Sequence, residues 1–309
     1  YFILVISTMT LNSTKTSISN LIQVKIKQLI YIIHYRFKGN YFYINYFNNS
    51  RLKKILFKIY NISLGDNFSK IHTIFIETLT ACNLRCSYCP NSVYERGLVK
   101  NNQNMEMSLF KKIIQELKQL KWVGEIQPHS YGEPLLDKRL PELCKYTKDN
   151  LPNCKISILS NGELMTIDHY LKLIESGVDR FKITQHLEKE PKGVLSVLDY
   201  REKNGDNGVE FTFSRLKHIN NRGGLVDVKE GKNKQQCNWP DYHLGISFDG
   251  QVLFCCNDYL NEVKIGNVKD DKIIDLWNTE YYKTIRKDIR ESNFNLDICK
   301  NCSDGAVYS

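Results

Sequence analysis

The sequence lacks any apolar run long enough to cross a bilayer. Its apolar start, Tyr1–Ile6, falls far short of the roughly 20 residues a spanning helix needs. That start also lacks the charged front and small-residue cleavage site of a secretory signal. Acidic residues are nearly missing from the first 70 positions, where Asp66 alone faces ten Lys or Arg. That segment therefore carries the entire net charge of +9, and the remaining 239 residues hold 33 charges of each sign. There is no internal repeat and no nucleic-acid recognition motif, so no nucleic acid partner is expected. Cysteine is too sparse for a disulfide scaffold, with ten in 309 residues. Seven of the ten sit in two groups at metal-ligand spacing, which implies a reducing compartment and a cytoplasmic setting.

What is present reads as a soluble globular chain: 42% of residues are hydrophobic and 25% charged, enough for a full core. Residues 1–70 form a basic N-terminal extension. Ile22, Ile26, Leu29, Ile30 and Ile33 share a helical face there, and a second helical stretch runs Arg51–Tyr60. Such an arm either packs on the body with its lysines in water or touches a membrane surface or a partner. Met9 is the first methionine, and residues 1–8 read as upstream translation.

From Ile71 the texture changes to short apolar runs alternating with amphipathic stretches. Strands are predicted at Thr73–Thr78, Trp122–Gln127, Lys155–Ser160, Arg180–Thr184 and Val209–Phe213. Helices are predicted between them: one capped by Ser108, then Pro141–Lys148, Ile167–Ser176 and Val194–Lys203. This alternation argues for an α/β fold of βα units around a parallel sheet, five units being too few for a closed barrel. Residues 71–225 are read as this core and 226–309 as a small C-terminal domain. A polar run, Lys229–Gln236, looks like a linker. Leu244–Phe248 and Val252–Cys255 flank Asp249-Gly250, a strong hairpin signal. Short helices are expected around Ile273–Trp277 and Tyr281–Arg290.

The first cysteine group, Cys82, Cys86 and Cys89, has the spacing C-x3-C-x2-C directly after the first strand. Thiolates suit iron–sulfur clusters and zinc alike. A structural zinc, or an ordinary [4Fe–4S] cluster, takes four protein ligands. This loop supplies three, so a cubane held here would leave one iron open to a substrate or cofactor. A zinc loop completed by a distant fourth ligand would use the same donors.

The segment Cys82-Asn83-Leu84-Arg85-Cys86-Ser87-Tyr88-Cys89-Pro90 resembles the signature of the radical S-adenosylmethionine (SAM) superfamily. The resemblance implies a partial (βα)5–6 barrel and a SAM-binding [4Fe–4S] cluster that cleaves SAM to a 5′-deoxyadenosyl radical. It also implies a reducing flavodoxin- or ferredoxin-type electron donor. It places Tyr88 near the adenine. Gly132-Glu133-Pro134 after the second strand is similar to the family's Gly-Glu-Pro motif, which would hold the SAM ammonium, although Tyr131 stands where the family has a further glycine. Ser160-Asn161 after the third strand resembles a SAM-contacting turn, and Gln185 stands where ribose contacts occur.

The second group is Cys237, Cys255, Cys299 and Cys302. Cys237-x12-Gly250-x4-Cys255 resembles the opening of the SPASM extension of radical SAM maturases and dehydrogenases. Only seven residues follow Cys302 and none is cysteine, so four ligands remain, enough for one auxiliary [4Fe–4S] cluster. This shortened form resembles the twitch domain of 2-deoxy-scyllo-inosamine dehydrogenase-like and maturase-like enzymes. A structural zinc held by the four cysteines is permitted by the spacing alone. Cys144 and Cys154 read as core. Cys256 reads either as a small buried hydrophobe or as a hydrogen-atom donor. Arg215 and Arg222 follow the fifth strand and could meet an anionic substrate.

The resemblance implies a small-molecule or peptide substrate. One expectation is oxidation of a small polyol or amino-sugar, with the auxiliary cluster accepting an electron. A second is peptide modification or epimerisation, with Cys256 as donor. A non-catalytic iron–sulfur or zinc protein would leave the three-cysteine loop and the Gly-Glu-Pro turn unexplained.

Overall fold

The computed structural model describes residues 68–216, 219–228 and 237–303. The expected helical arm and the run 229–236 lie outside them.

Seven strands make one sheet in the order β5-β4-β3-β2-β1-β6-β7. They are β1 (Thr73–Ile76), β2 (Glu125–Gln127), β3 (Lys155–Ser160), β4 (Arg180–Gln185), β5 (Glu210–Arg215), β6 (His243–Ile246) and β7 (Val252–Leu253). All neighbours are parallel except the β6–β7 hairpin. The connecting helices are α1 (Met107–Gln119), α2 (Leu140–Asn150), α3 (Ile167–Glu175) and α4 (Lys192–Asn204). After β5 come α5 (Trp239–Tyr242), then, past β7, α6 (Ile273–Trp277), α7 (Glu280–Arg290) and α8 (Asp297–Asn301).

The first five strands and four helices fall where the sequence pattern puts them. Two details differ. Ser108 does not cap α1, which starts one residue earlier behind Glu106. The hairpin at Asp249-Gly250 forms, with Gly250 at φ +89°, but its first strand is no part of a separate sheet. β6 pairs along the whole of β1, Thr73 with His243 through Ile76 with Ile246, as a sixth parallel strand. The hairpin signal marks this strand locally, but its place beside β1 rests on pairing across a long chain separation.

Period-2 alternation gives the sheet two unlike faces. Ile156, Ile158, Phe181 and Ile183 turn to the helices and join Leu140, Tyr170, Leu173, Val194 and Val197 in one apolar cluster. The opposite face is polar. On it Arg180 reaches Glu125 at 3.4 Å and Glu210 at 2.7 Å, and Lys182 lies 3.7 Å from Glu125. Arg180 and Glu125 are buried as a pair, the condition under which buried ions are tolerated, while Lys182 and Glu210 reach solvent at its rim. A larger core joins β1 and β6 to α1, α6 and α7 through Ile74, Ile76, Ile113, Leu244, Ile246, Trp277 and Ile285. Arg286 is fully buried there, its guanidinium 3.7 Å from the Trp277 ring centroid.

Sequential strands run outward from β1 to β5, and β6 then returns to β1's other side. In open parallel sheets, ligand sites lie beyond the strands' C-terminal ends where this reversal occurs. The loop that leaves β1 there carries Cys82, Cys86 and Cys89. Among the described residues, no helix is long and apolar enough to cross a membrane.

Candidate active site

Cys82, Cys86 and Cys89 all project from the loop between β1 and α1, half-buried. Backbone bonds shape the loop: Cys82 N donates to Gly97 O at 3.0 Å, and Cys89 N to Cys86 O at 2.9 Å. The Cys82 thiol is pushed up to about 11, by burial first and then by Glu133, Cys89 and Cys86, against the Leu84 amide. Burial also raises Cys89, while the Asn91 amide and Arg222 pull it down. The three sulfurs are thus neighbours in one another's field. Among the described residues, no three His, Cys, Asp or Glu side chains stand at mutual metal-ligand distances. The donor chemistry nevertheless fits an iron–sulfur cluster: three thiols on one loop, which a bound cation would deprotonate.

Beside the loop lies a carboxylate cradle. Glu133 is 3% exposed. Its Oε1 accepts from Ser160 Oγ at 2.7 Å and Leu135 N at 3.1 Å, and its Oε2 from Asn161 N at 2.9 Å. Burial raises its pKa despite the Asn161, Ser160 and Leu135 donors. A carboxylate offers about four acceptor positions. Three are filled, which leaves one for an ammonium, whose positive charge would offset the effect of burial. Gly132 is required by close approach: a Cβ there would stand 2.2 Å from Leu79 O. Glu133 N donates to Ala81 O at 2.8 Å, so the turn is pinned to the residue before Cys82. Pro134 opens the short 3-10 turn Pro134–Leu136 that presents Leu135 N.

Asn161 ties the cradle to the thiols. Its Nδ2 donates to Asn83 Oδ1 at 2.9 Å and lies 3.9 Å from Cys82 Sγ. Tyr88 and His186 meet across the mouth, Oη to Nδ1 at 2.7 Å, joining the cysteine loop to the end of β4. Gln185 ends β4. Its Nε2 donates to Leu187 O and Glu188 O at 3.0 and 2.9 Å, shaping its own loop.

Of the second group, Cys299 and Cys302 are buried and Cys237 and Cys255 half-buried. Asn257 links two of them: its N donates to Cys255 Sγ at 3.4 Å and its Nδ2 to Cys302 Sγ at 3.6 Å. Cys237, Cys255 and Cys256 pack on Phe75, Trp239 and Leu253. Cys144 and Cys154 are buried in the core.

Arg222 lies on a loop packed against the end of α8, and its charge is felt at Cys89. Its backbone is left-handed at φ +51°, and Asn220 Oδ1 accepts from its N at 2.9 Å. The neighbouring Asn221 is bolted to the end of α8, with Nδ2 donating to Asn301 O at 2.6 Å and Oδ1 accepting from Ser303 N at 2.9 Å. Burial raises Cys89, Tyr88 and Tyr131, and the Arg222 charge works against that rise; His186 is lowered by burial first and then by Arg222. Sequence reasoning missed His129, two residues beyond β2 on the polar face. Burial first, then Lys182, holds it neutral with its pKa lowered to about 4. The polar-apolar alternation from Glu125 through Gln127 was the signal that could have found it.

The radical SAM superfamily profile matches residues 76–224, and the SPASM iron–sulfur cluster-binding domain matches residues 237–303. The S-adenosyl-L-methionine-dependent 2-deoxy-scyllo-inosamine dehydrogenase of Niallia circulans is 32% identical over 241 residues, covering 76% of this chain and 94% of that enzyme. The crystal structure of BtrN in complex with AdoMet and 2-DOIA is similar with a TM-score of 0.69 at 29% identity, covering 76% of this chain and 93% of BtrN. BtrN in an open conformation gives a TM-score of 0.60 at 26% identity, covering 76% and 92%. Similarity at this level over nearly a whole relative turns the resemblance of Cys82–Pro90 into membership: the chain belongs to the radical SAM superfamily, as an enzyme using SAM and a [4Fe–4S] cluster, with an iron–sulfur SPASM region at its C-terminal end.

Proposed function

We propose that the chain oxidises a carbinol carbon of a small polyol or amino-sugar. Cys82, Cys86 and Cys89 hold the SAM-cleaving cluster, and Cys237, Cys255, Cys299 and Cys302 hold one auxiliary cluster. When bound, SAM and the first cluster supply a 5′-deoxyadenosyl radical able to take hydrogen from a C–H bond. The chain's own residues do the rest. Glu133 receives the SAM ammonium at its remaining acceptor position, and Ser160 and Asn161 hold that carboxylate still. Tyr88 and His186 close the mouth.

The observation that carries the substrate reading is the placement of Arg222. Its loop is fixed to the α8 end that bears Cys299 and Cys302, while its charge reaches Cys89. A hydroxyl oxygen held by Arg222 would therefore lie between the two cysteine groups. The polar sheet face with Lys182 and neutral His129 suits the other hydroxyls of such a substrate. The named activity of the Niallia circulans relative, on an amino-cyclitol, supports the same class. A flavodoxin- or ferredoxin-type protein would deliver the reducing electron.

Epimerisation is the second reading, because half-buried Cys256, whose carbonyl bonds to Tyr131, offers a thiol as hydrogen donor. One experiment separates the two. With 2-deoxy-scyllo-inosamine deuterated at its carbinol carbons, oxidation places deuterium in 5′-deoxyadenosine and yields a ketone. An unoxidised product in which hydrogen from solvent has replaced that deuterium would instead establish the epimerase.

A further inference from the structure

Tyr131 occupies a position where the family has glycine, and its side chain explains the exchange. Its Oη donates to Cys256 O at 2.7 Å, one residue after Cys255. Its own carbonyl accepts from Asn91 Nδ2 at 2.9 Å, two residues after Cys89. Asn91 Oδ1 in turn accepts from Tyr259 Oη at 2.9 Å. The Tyr259 ring meets the Tyr131 ring edge-on, with centroids 4.7 Å apart. Arg96 closes the circuit, donating to Tyr259 O at 2.9 Å, lying over the Tyr259 ring and pairing with fully buried Glu77. The Asn91–Tyr259 and Arg96–Tyr259 contacts join the loop of the first cysteine group to that of the second, and Tyr131, on the loop after β2, touches both. The Tyr131 phenol is raised well above its usual value by burial, with Cys256, Cys89 and Cys255 adding to the rise against Arg222. It therefore stays protonated and donates, within the field of both groups.

We propose that Tyr131 is a positioning residue that sets the spacing between the SAM-cleaving cluster and the auxiliary cluster, through a bridge shared with Asn91 and Tyr259. This rests on the reading of the auxiliary cluster as electron acceptor. Oxidation of a carbinol to a carbonyl removes one hydrogen atom, which the 5′-deoxyadenosyl radical takes. One electron then passes to the auxiliary cluster, which is reduced by one unit, and the hydroxyl proton leaves to solvent. Electron and proton must leave before the intermediate escapes, so the spacing decides how many radicals end in product.

Tyr131→Phe keeps the ring and removes the donor. Tyr131→Gly restores the family residue and removes the bridge. In the cluster-free chain, amide exchange at Asn257–Tyr259 should rise about 5–30-fold in Tyr131→Phe, the range for losing one buried hydrogen bond. In the reconstituted, dithionite-reduced enzyme, the dipolar interaction between the two paramagnetic clusters should change in Tyr131→Gly. With 2-deoxy-scyllo-inosamine, ketone formed per 5′-deoxyadenosine should fall several-fold in both variants. Unchanged exchange, or cluster spectra in Tyr131→Gly that superimpose on wild type, would overturn the bridge. Faster exchange with an unchanged product ratio would reduce it to a structural contact and also overturn it. If wild type oxidises no amino-cyclitol, the substrate reading fails alone, and the exchange and spectral measurements still decide Tyr131.

Discussion

Glu133 concentrates the chemistry of the site at a single residue. Three donors from two elements converge on its carboxylate, and the same turn is pinned to the residue before Cys82. Glu133→Gln would set an amide NH2 against groups that are themselves donors. The buried clash of donors should cost about 1–3 kcal/mol, read as a lower midpoint in thermal unfolding of the cluster-free chain. SAM affinity, read by equilibrium dialysis, should fall at least tenfold, because the charge facing the ammonium is also gone. A variant with wild-type stability and wild-type SAM affinity would remove Glu133 from the cradle. Asn161 shows why such residues act together. One side chain holds the thiol loop through Asn83 while its backbone amide holds Glu133.

At the scale of elements, β6 is the informative strand. Gly245 lies on it opposite Phe75 of β1, and a Cβ there would stand 2.2 Å from the end of that ring. The ring is wedged against Trp239, with centroids 5.4 Å apart, and has little room to retreat. Gly245→Ala should therefore destabilise by about 1–3 kcal/mol, the usual range for overpacking a filled core. Chemical denaturation of the cluster-free chain checks it, and a neutral result would show that β6 is only loosely held on β1. The βα alternation, the cysteine loop and the Gly-Glu-Pro turn were legible in sequence because each is set by local pattern. Strand pairing is not local. The Asp249-Gly250 hairpin marks Leu244–Phe248 as a strand, but its partner β1 lies some 170 positions earlier. Gln185 illustrates the same limit: only the path of Leu187 and Glu188 decides that its amide turns to its own loop. Tyr131 looked like a weakened motif until its contact with Cys256 was placed.

Across the whole molecule, the two cysteine groups share one sheet. β6, which lies between Cys237 and Cys255 of the second group, pairs with β1, the strand that precedes the first. Tyr131 then bonds to the loop after β7, and the loop of Arg222 is fixed to α8 through Asn221. A chain built only to store iron would not need this convergence, nor a carboxylate cradle beside a loop that supplies three thiols. The most direct measurement is made on anaerobically reconstituted, dithionite-reduced protein supplied with SAM. Wild type should hold about eight irons per chain, four in each cluster, and convert SAM to 5′-deoxyadenosine. Cys86→Ala should hold about four irons and form none. Zinc in place of iron, or 5′-deoxyadenosine formation that survives Cys86→Ala, would contradict a SAM-cleaving cluster on this loop.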